Sequence, residues 1–155
     1  MRLSGVSILL FGVFAALGSA CSGGSSSSSS VTTPTQTIAT EVLTGTVQAP
    51  IGGVLQSSFN TFNVGQGGGT VQLTLTSAVE TFPDGSLLPT VTMGMGVGTV
   101  SAGTCALLTN AFTTAQAGSS PQLSGTLSVG TYCVQVSDVT NQFGPVAYAV
   151  AVSHP

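Results

Sequence analysis

The chain has 155 residues, but only one Lys or Arg, four Asp or Glu and one His, for a formal net charge of −3. The one strongly basic side chain is Arg2, so a chain that has lost its leader keeps no Lys or Arg to neutralise phosphates, which excludes nucleic acid as a partner. On the same count internal salt bridges are not expected, and solubility must come from Ser, Thr, Asn and Gln, with the aggregation risk that low charge brings to a β-rich chain.

Met1-Arg2 forms a short positive start. Val6 to Leu17 follows as an apolar run broken only by Ser7 and Gly12. About a dozen residues is short of the roughly 20 needed to span a bilayer but suits the apolar region of a signal peptide. Leu17-Gly18-Ser19-Ala20-Cys21 resembles the bacterial lipoprotein lipobox, with Gly18 where Leu or Val is more usual. The resemblance implies diacylglyceryl transfer to the Cys21 sulfur, cleavage after Ala20 and acylation of the new amino terminus. An ordinary signal peptide with an incidental cysteine is the competing reading. A tether, Ser22-Gly23-Gly24 and Ser25 to Ser30, then runs through Val31 to Thr35. Ser/Gly-rich sequence behaves as flexible coil. Ser22 is not the Asp of the best-known inner-membrane sorting rule, so the outer membrane is the expected home where there are two. The expected organisation is a signal peptide over 1–20, a lipidated Cys21 with its linker over 21–40, and one domain over 41–155.

From Val42 onward apolar residues recur with period two, with Gly, Pro, Asn and Asp between the runs. The expected strands are 43–48, 58–64, 70–77, 90–97, 104–109, 122–127, 130–138 and 146–153. Val71, Leu73 and Leu75 alternate with Gln72, Thr74 and Thr76, and Val146, Tyr148, Val150 and Val152 alternate with alanines. Only 111–117 approaches a helical pattern, and it is short and threonine-rich. About eight short strands predict an all-β, two-sheet antiparallel sandwich of jelly-roll type.

Gly130-Thr131-Tyr132-Cys133-Val134-Gln135-Val136, the acidic turn after it and the strand from Val146 resemble the closing motif of bacterial pre-peptidase C-terminal (PPC) domains. Phe59 to Val64 and Gly69 to Leu75 fit that family's early strands, so the resemblance covers most of 44–155. It implies a β-sandwich appended to secreted proteins, often beside a peptidase, with roles in substrate or surface contact. This chain is expected to depart from that pattern by carrying no peptidase.

With Cys21 lipidated, Cys105 and Cys133 remain as an even pair in an exported domain, where a disulfide is favoured over two buried thiols. Cys133 takes the strand face opposite Val134 and Val136. The bridge is therefore expected on the outer side of one sheet, between adjacent strands or a strand and its flanking loop. Asp138 with Asn141 is conceivable as the start of a calcium loop, but widely spaced acids favour a turn cap. Glu80 and Asp84 are conceivable as a glycosidase-like pair, though a solvated loop is the plainer reading. Gly94, Gly96 and Gly98 make a bare stripe, read as close packing inside the protein before a landing place for a flat polymer. Tyr132 and Tyr148 read as core aromatics. His154, the only histidine, stands next to the chain end and pairs with no nucleophile.

These residues assign no catalytic group, no metal ligand and no cofactor. The expected function is a non-enzymatic binding or structural module held at the cell envelope. Its partners would be the bilayer, through acylated Cys21, and an envelope protein or polysaccharide. A self-assembling surface subunit, or an accessory or inhibitor of a secreted peptidase, are the alternatives.

Overall fold

The computed structural model describes residues 36–155. The signal peptide, Cys21 and the serine tether lie outside the described residues. Nine strands form: β1 (Ala39–Val47), β2 (Ser57–Val64), β3 (Gly69–Thr81), β4 (Leu87–Leu88), β5 (Met93–Ser101), β6 (Thr104–Ala115), β7 (Leu123–Leu127), β8 (Gly130–Ser137) and β9 (Val146–His154). One sheet runs β1-β9-β3-β4, with β7 also paired to β3; the other runs β2-β8-β5-β6. Every ladder between named strands is antiparallel, and the two sheets pack as a sandwich.

Alternation determines which side of each strand is buried. Leu73 and Leu75 of β3, Met93 and Met95 of β5, Val134 and Val136 of β8, and Val146, Val150 and Val152 of β9 are all almost fully buried between the sheets. Burying a side chain of this size contributes about 1.5–3 kcal/mol. Tyr148 joins this core, while Tyr132 is half-buried with its ring 6.0 Å from that of Phe62.

The strands depart from the sequence pattern where the ladders are irregular. In β3 the register against β9 shifts between Leu75 and Ser77, so the inward face passes from Leu75 to Ala78 and Glu80. The strand therefore continues to Thr81, past the expected end at Ser77, with its parity reversed. Thr90 to Thr92 cross between the sheets, held by a hydrogen bond from Val91 N to Ala78 O, and β5 begins only at Met93. β6 extends to Ala115, absorbing the segment nearest to a helical pattern. β1 starts at Ala39, so the last two residues of the expected linker are strand.

The glycine stripe is covered from within. A Cβ at Gly94 would meet Ser137 Oγ and the Phe112 ring, and one at Gly96 would meet Leu107 and Phe112. Phe112 stands opposite Gly96 in the β5–β6 ladder and lays its ring along the bare strand, a cross-strand aromatic shielding glycine. At Gly98 a Cβ would overlap Ala106 O and press on Cys105 Sγ.

That last contact explains the disulfide. Cys105 (β6) and Cys133 (β8) are at bonding distance, with Cα atoms 5.9 Å apart. The bridge lies on the face opposite Val134 and Val136, as alternation requires. It does not join adjacent strands as expected: β6 and β8 are separated by β5. β6 curls over β5 at Gly98, and the missing side chain there leaves room for the crossing.

One long edge of the sandwich is stitched shut. Asn60 Nδ2 of β2 donates to Thr44 O of β1 and to the Tyr148 hydroxyl, each at 3.1 Å, and that hydroxyl donates to Ser58 Oγ at 3.1 Å. Tyr148 reaches this seam by lying across Gly45, where any Cβ would collide with its ring. The expectation of no internal ion pair is corrected at His154. Its ring is ordered in β9, with Nε2 3.1 Å from Glu41 Oε1, an ion pair whenever the imidazole is protonated.

Candidate binding cleft

The opposite edge, between β6 and β7, is open. In the β5–β6 ladder Gly96 pairs with Phe112, but Gly98 pairs with Leu107. Residues 108–111 therefore bow out of the sheet. Asn110 turns the bow with φ 60°, a left-handed conformation that Asn adopts more readily than most residues. The bow carries Leu108 and Ala111 back against the core.

Across the gap stands β7, the edge of the other sheet, with Leu123 and Leu127 packed on the same core. The chain leading into β7 is fastened along β3: Gly118 N donates to Leu75 O, Gln122 N donates to Leu73 O, and Leu75 N donates to Gln122 Oε1. β7 is thereby held at a fixed height over β3. Between bow and strand lies a cleft of about 210 Å³, with Val71, Leu73 and Val97 lining it from the core. Thr109, Asn110, Ser124, Gly125 and Thr126 line its polar parts. This lining is aliphatic, hydroxyl and amide, and it suits a neutral group held by apolar contact and a few hydrogen bonds. The cleft is smaller than the usual small-molecule pocket of roughly 300–1,000 Å³, and matches a single side chain or ring of a larger partner.

At the far end of β3 the molecule is built differently. Glu80, fully buried, points between the sheets, where its Oε1 accepts from the amides of Phe143 and Gly144. Asp138 Oδ1 accepts from Asn141 N at 3.2 Å, so Asp138 does cap its turn. Asn141 Nδ2 donates to Thr92 O and Gln142 Nε2 donates to Gly144 O. The second carboxylate oxygens, Glu80 Oε2 and Asp138 Oδ2, and the amide oxygens, Asn141 Oδ1 and Gln142 Oε1, are buried without a protein donor.

Glu80 and Asp84 are not a carboxylate pair. Asp84 sits at the exposed 82–86 turn, where Ser86 N and Oγ both donate to Oδ1 at 2.9 and 2.6 Å. The Ser86 hydroxyl bond first, and the Ser86 amide second, hold the Asp84 carboxyl below the usual aspartate range. Reading Glu80 as part of a solvated loop is corrected: the register shift in β3 turns it inward. Cys105 and Cys133 bridge β6 to β8 and do not line the cleft. Among the described residues no group of three His, Cys, Asp or Glu side chains converges as a metal cluster. The cleft itself was missed. Its one signal was Asn110 inside a threonine-rich run, a turn former where a strand was expected to have ended.

No family model, no curated protein and no solved structure matches the chain.

Proposed function

We propose that the protein is a non-enzymatic binding module tethered to the cell envelope, and that the β6–β7 cleft receives one neutral group of an envelope protein or polysaccharide. The observation that carries this reading is the bow at 108–111: it opens one edge of a sandwich whose other edge is sewn shut, and exposes an apolar floor beside hydroxyls and amides. The tether rests on the lipobox-like stretch ending at Cys21, and the resemblance to PPC domains agrees with a role in surface contact.

Gly125 provides a direct test. It lines the cleft, and a Cβ there meets nothing within 4 Å. Gly125→Phe therefore fills the cleft without a clash at its root. Capture of a partner from an envelope extract should be lost in this variant while its melting temperature stays close to that of the parent. Undiminished capture would place the contact elsewhere. Cys21→Ala should move the protein from the membrane fraction to the soluble one; continued membrane fractionation would refute the lipid anchor.

A self-assembling subunit is the second reading, favoured by Phe112 and Leu107 on the covered glycine stripe, which remain 45% and 39% exposed. A strictly monomeric elution at high concentration would count against it.

A further inference from the structure

The end of the sandwich closed by residues 138–144 contains a chemical imbalance. Two carboxylates, Glu80 at 0% and Asp138 at 3% exposure, are buried there, each with one oxygen anchored and the other without a donor. A buried acceptor left unsatisfied costs about 1–3 kcal/mol, and more when charged. Elsewhere in proteins a Lys or Arg answers such a pair. The described residues contain neither, and the one histidine is at the other end of β9, engaged with Glu41.

The neighbouring amides deepen the imbalance. Gln142 is 6% exposed, and its nitrogen is used on Gly144 O, which leaves Oε1 as a bare buried acceptor. Asn141 spends its nitrogen on Thr92 O and leaves Oδ1 likewise. Three of the four groups lie within residues 138–142, and the fourth, Glu80, holds the end of the same segment. Glu80 holds the amides of Phe143 and Gly144, Gln142 reaches Gly144, and Asp138 holds the amide of Asn141. Each first oxygen or nitrogen is fixed to backbone, the arrangement by which outer contacts orient metal-binding side chains. Thr81 N donates to Pro145 O at 3.0 Å, and Gly144 lies so close to Thr81 O that a Cβ would overlap it, so the segment is tied to the end of β3.

We propose that Glu80, Asp138, Asn141 and Gln142 bind one hard divalent cation, Ca²⁺. The donors are all oxygen, two of them charged, which suits calcium and not the nitrogen- and sulfur-seeking transition metals. Four side-chain oxygens fall short of the six to eight that calcium takes, and water or nearby carbonyls complete the set. Thr140 and Phe143 are exposed, so the segment faces solvent and gives the ion a way in. This site is independent of the cleft.

The test uses the purified protein, stripped with EGTA and returned to CaCl₂ or MgCl₂ at constant ionic strength. Equilibrium dialysis should find one Ca²⁺ per chain, with a Kd of roughly 10⁻⁴ M, the range of extracellular modules. Saturating Ca²⁺ should raise the melting temperature by about 5 °C or more, and Mg²⁺ by much less. Glu80→Gln keeps the side-chain shape and the acceptor for Phe143 and Gly144 but removes a buried charge. It should melt no lower than the parent in EGTA and lose at least tenfold in Ca²⁺ affinity. Asp138→Asn should behave alike. Absence of stoichiometric binding, an equal response to Mg²⁺, or an undiminished Ca²⁺ response in Glu80→Gln would each overturn the proposal.

Discussion

The two ends of β3 are held by opposite means. Near Val71 and Leu73 the sheets meet through aliphatic contacts, the edge is open, and a covalent strap crosses the outer face at Gly98. Near Glu80 the sheets are closed by a polar segment whose hydrogen bonds join side chains and backbone, with backbone amides donating to Glu80 and Asn141 donating to Thr92 O. Apolar contact is undirected and tolerates a gap, so the first end accommodates a cleft. Hydrogen bonds in a buried setting do not tolerate one, because each unmade bond leaves a costly group behind. The same strand thus supports a place where a partner can enter and a place where shape is fixed.

The sharpest way to break this contrast is to alter the fixed end sterically. Gly144→Ala puts a methyl into Thr81 O, a backbone atom that cannot turn aside, and should cost about 3 kcal/mol or more, read as a fall in the denaturant midpoint. A loss below about 1 kcal/mol would mean that the segment moves freely. At the open end the comparable change is loss of the strap. Reduction, or Cys105→Ala with Cys133→Ala, should cost about 3–4 kcal/mol, mostly by releasing the 28-residue separation in the unfolded chain. The core Val134 and Val136 amides should keep their hydrogen-exchange protection relative to global stability, since the bridge lies outside that core. Selective loss of protection there would show that the strap also holds the packing.

The stitched edge gives an intermediate effect. Tyr148→Phe removes the hydroxyl shared by Asn60 and Ser58 and should cost about 1–2 kcal/mol in denaturant unfolding. The smallest effect belongs to the exposed turn. The Asp84 carboxyl is held below its ordinary range, so its contribution is present above the unfolded aspartate value of about 3.9 and is lost as pH falls through the lower folded value. Its titration followed by carbon NMR should therefore have a midpoint below that value, and Asp84→Ala should barely move the melting temperature at pH 7. A midpoint at or above the ordinary value would mean that Ser86 does not donate to it in solution.

The sequence was most legible where the ladders are regular. Val146 to Val152 alternates without interruption, and β9 forms where expected with its valines inside. Misreadings fall at the irregularities. One extra residue near Thr76 reverses the face of β3 and the strand runs on to Thr81, so Glu80, read as part of a solvated loop, lies inside. The bow at 108–111 broke the alternation of β6 and made its second half look non-strand. Thr90 to Thr92 looked like strand because Val91 continues the alternation of Met93, Met95 and Val97, yet they are the crossing between the sheets. Position alone placed Cys133 on the outer face, but the bridge across β5 depends on Gly98 lacking a side chain, a three-strand relation that no single run of residues displays. The cleft was illegible for the same reason, since its walls come from different sheets.

The two ends of the described domain have a mechanical consequence. β1 lies at the edge of its sheet and pairs only with β9, and the ladder begins where Ala39 meets His154. Pro155 accepts a hydrogen bond from Gly65, while Gln36 bonds Gly68 in the same turn, so both ends leave the fold side by side. A force drawn between them loads the β1–β9 hydrogen bonds one pair at a time, as in opening a zipper, and not all together as in shear. Pulled this way, the domain should yield β1 first and at low force, paying out slack while the disulfide-strapped sheet remains folded.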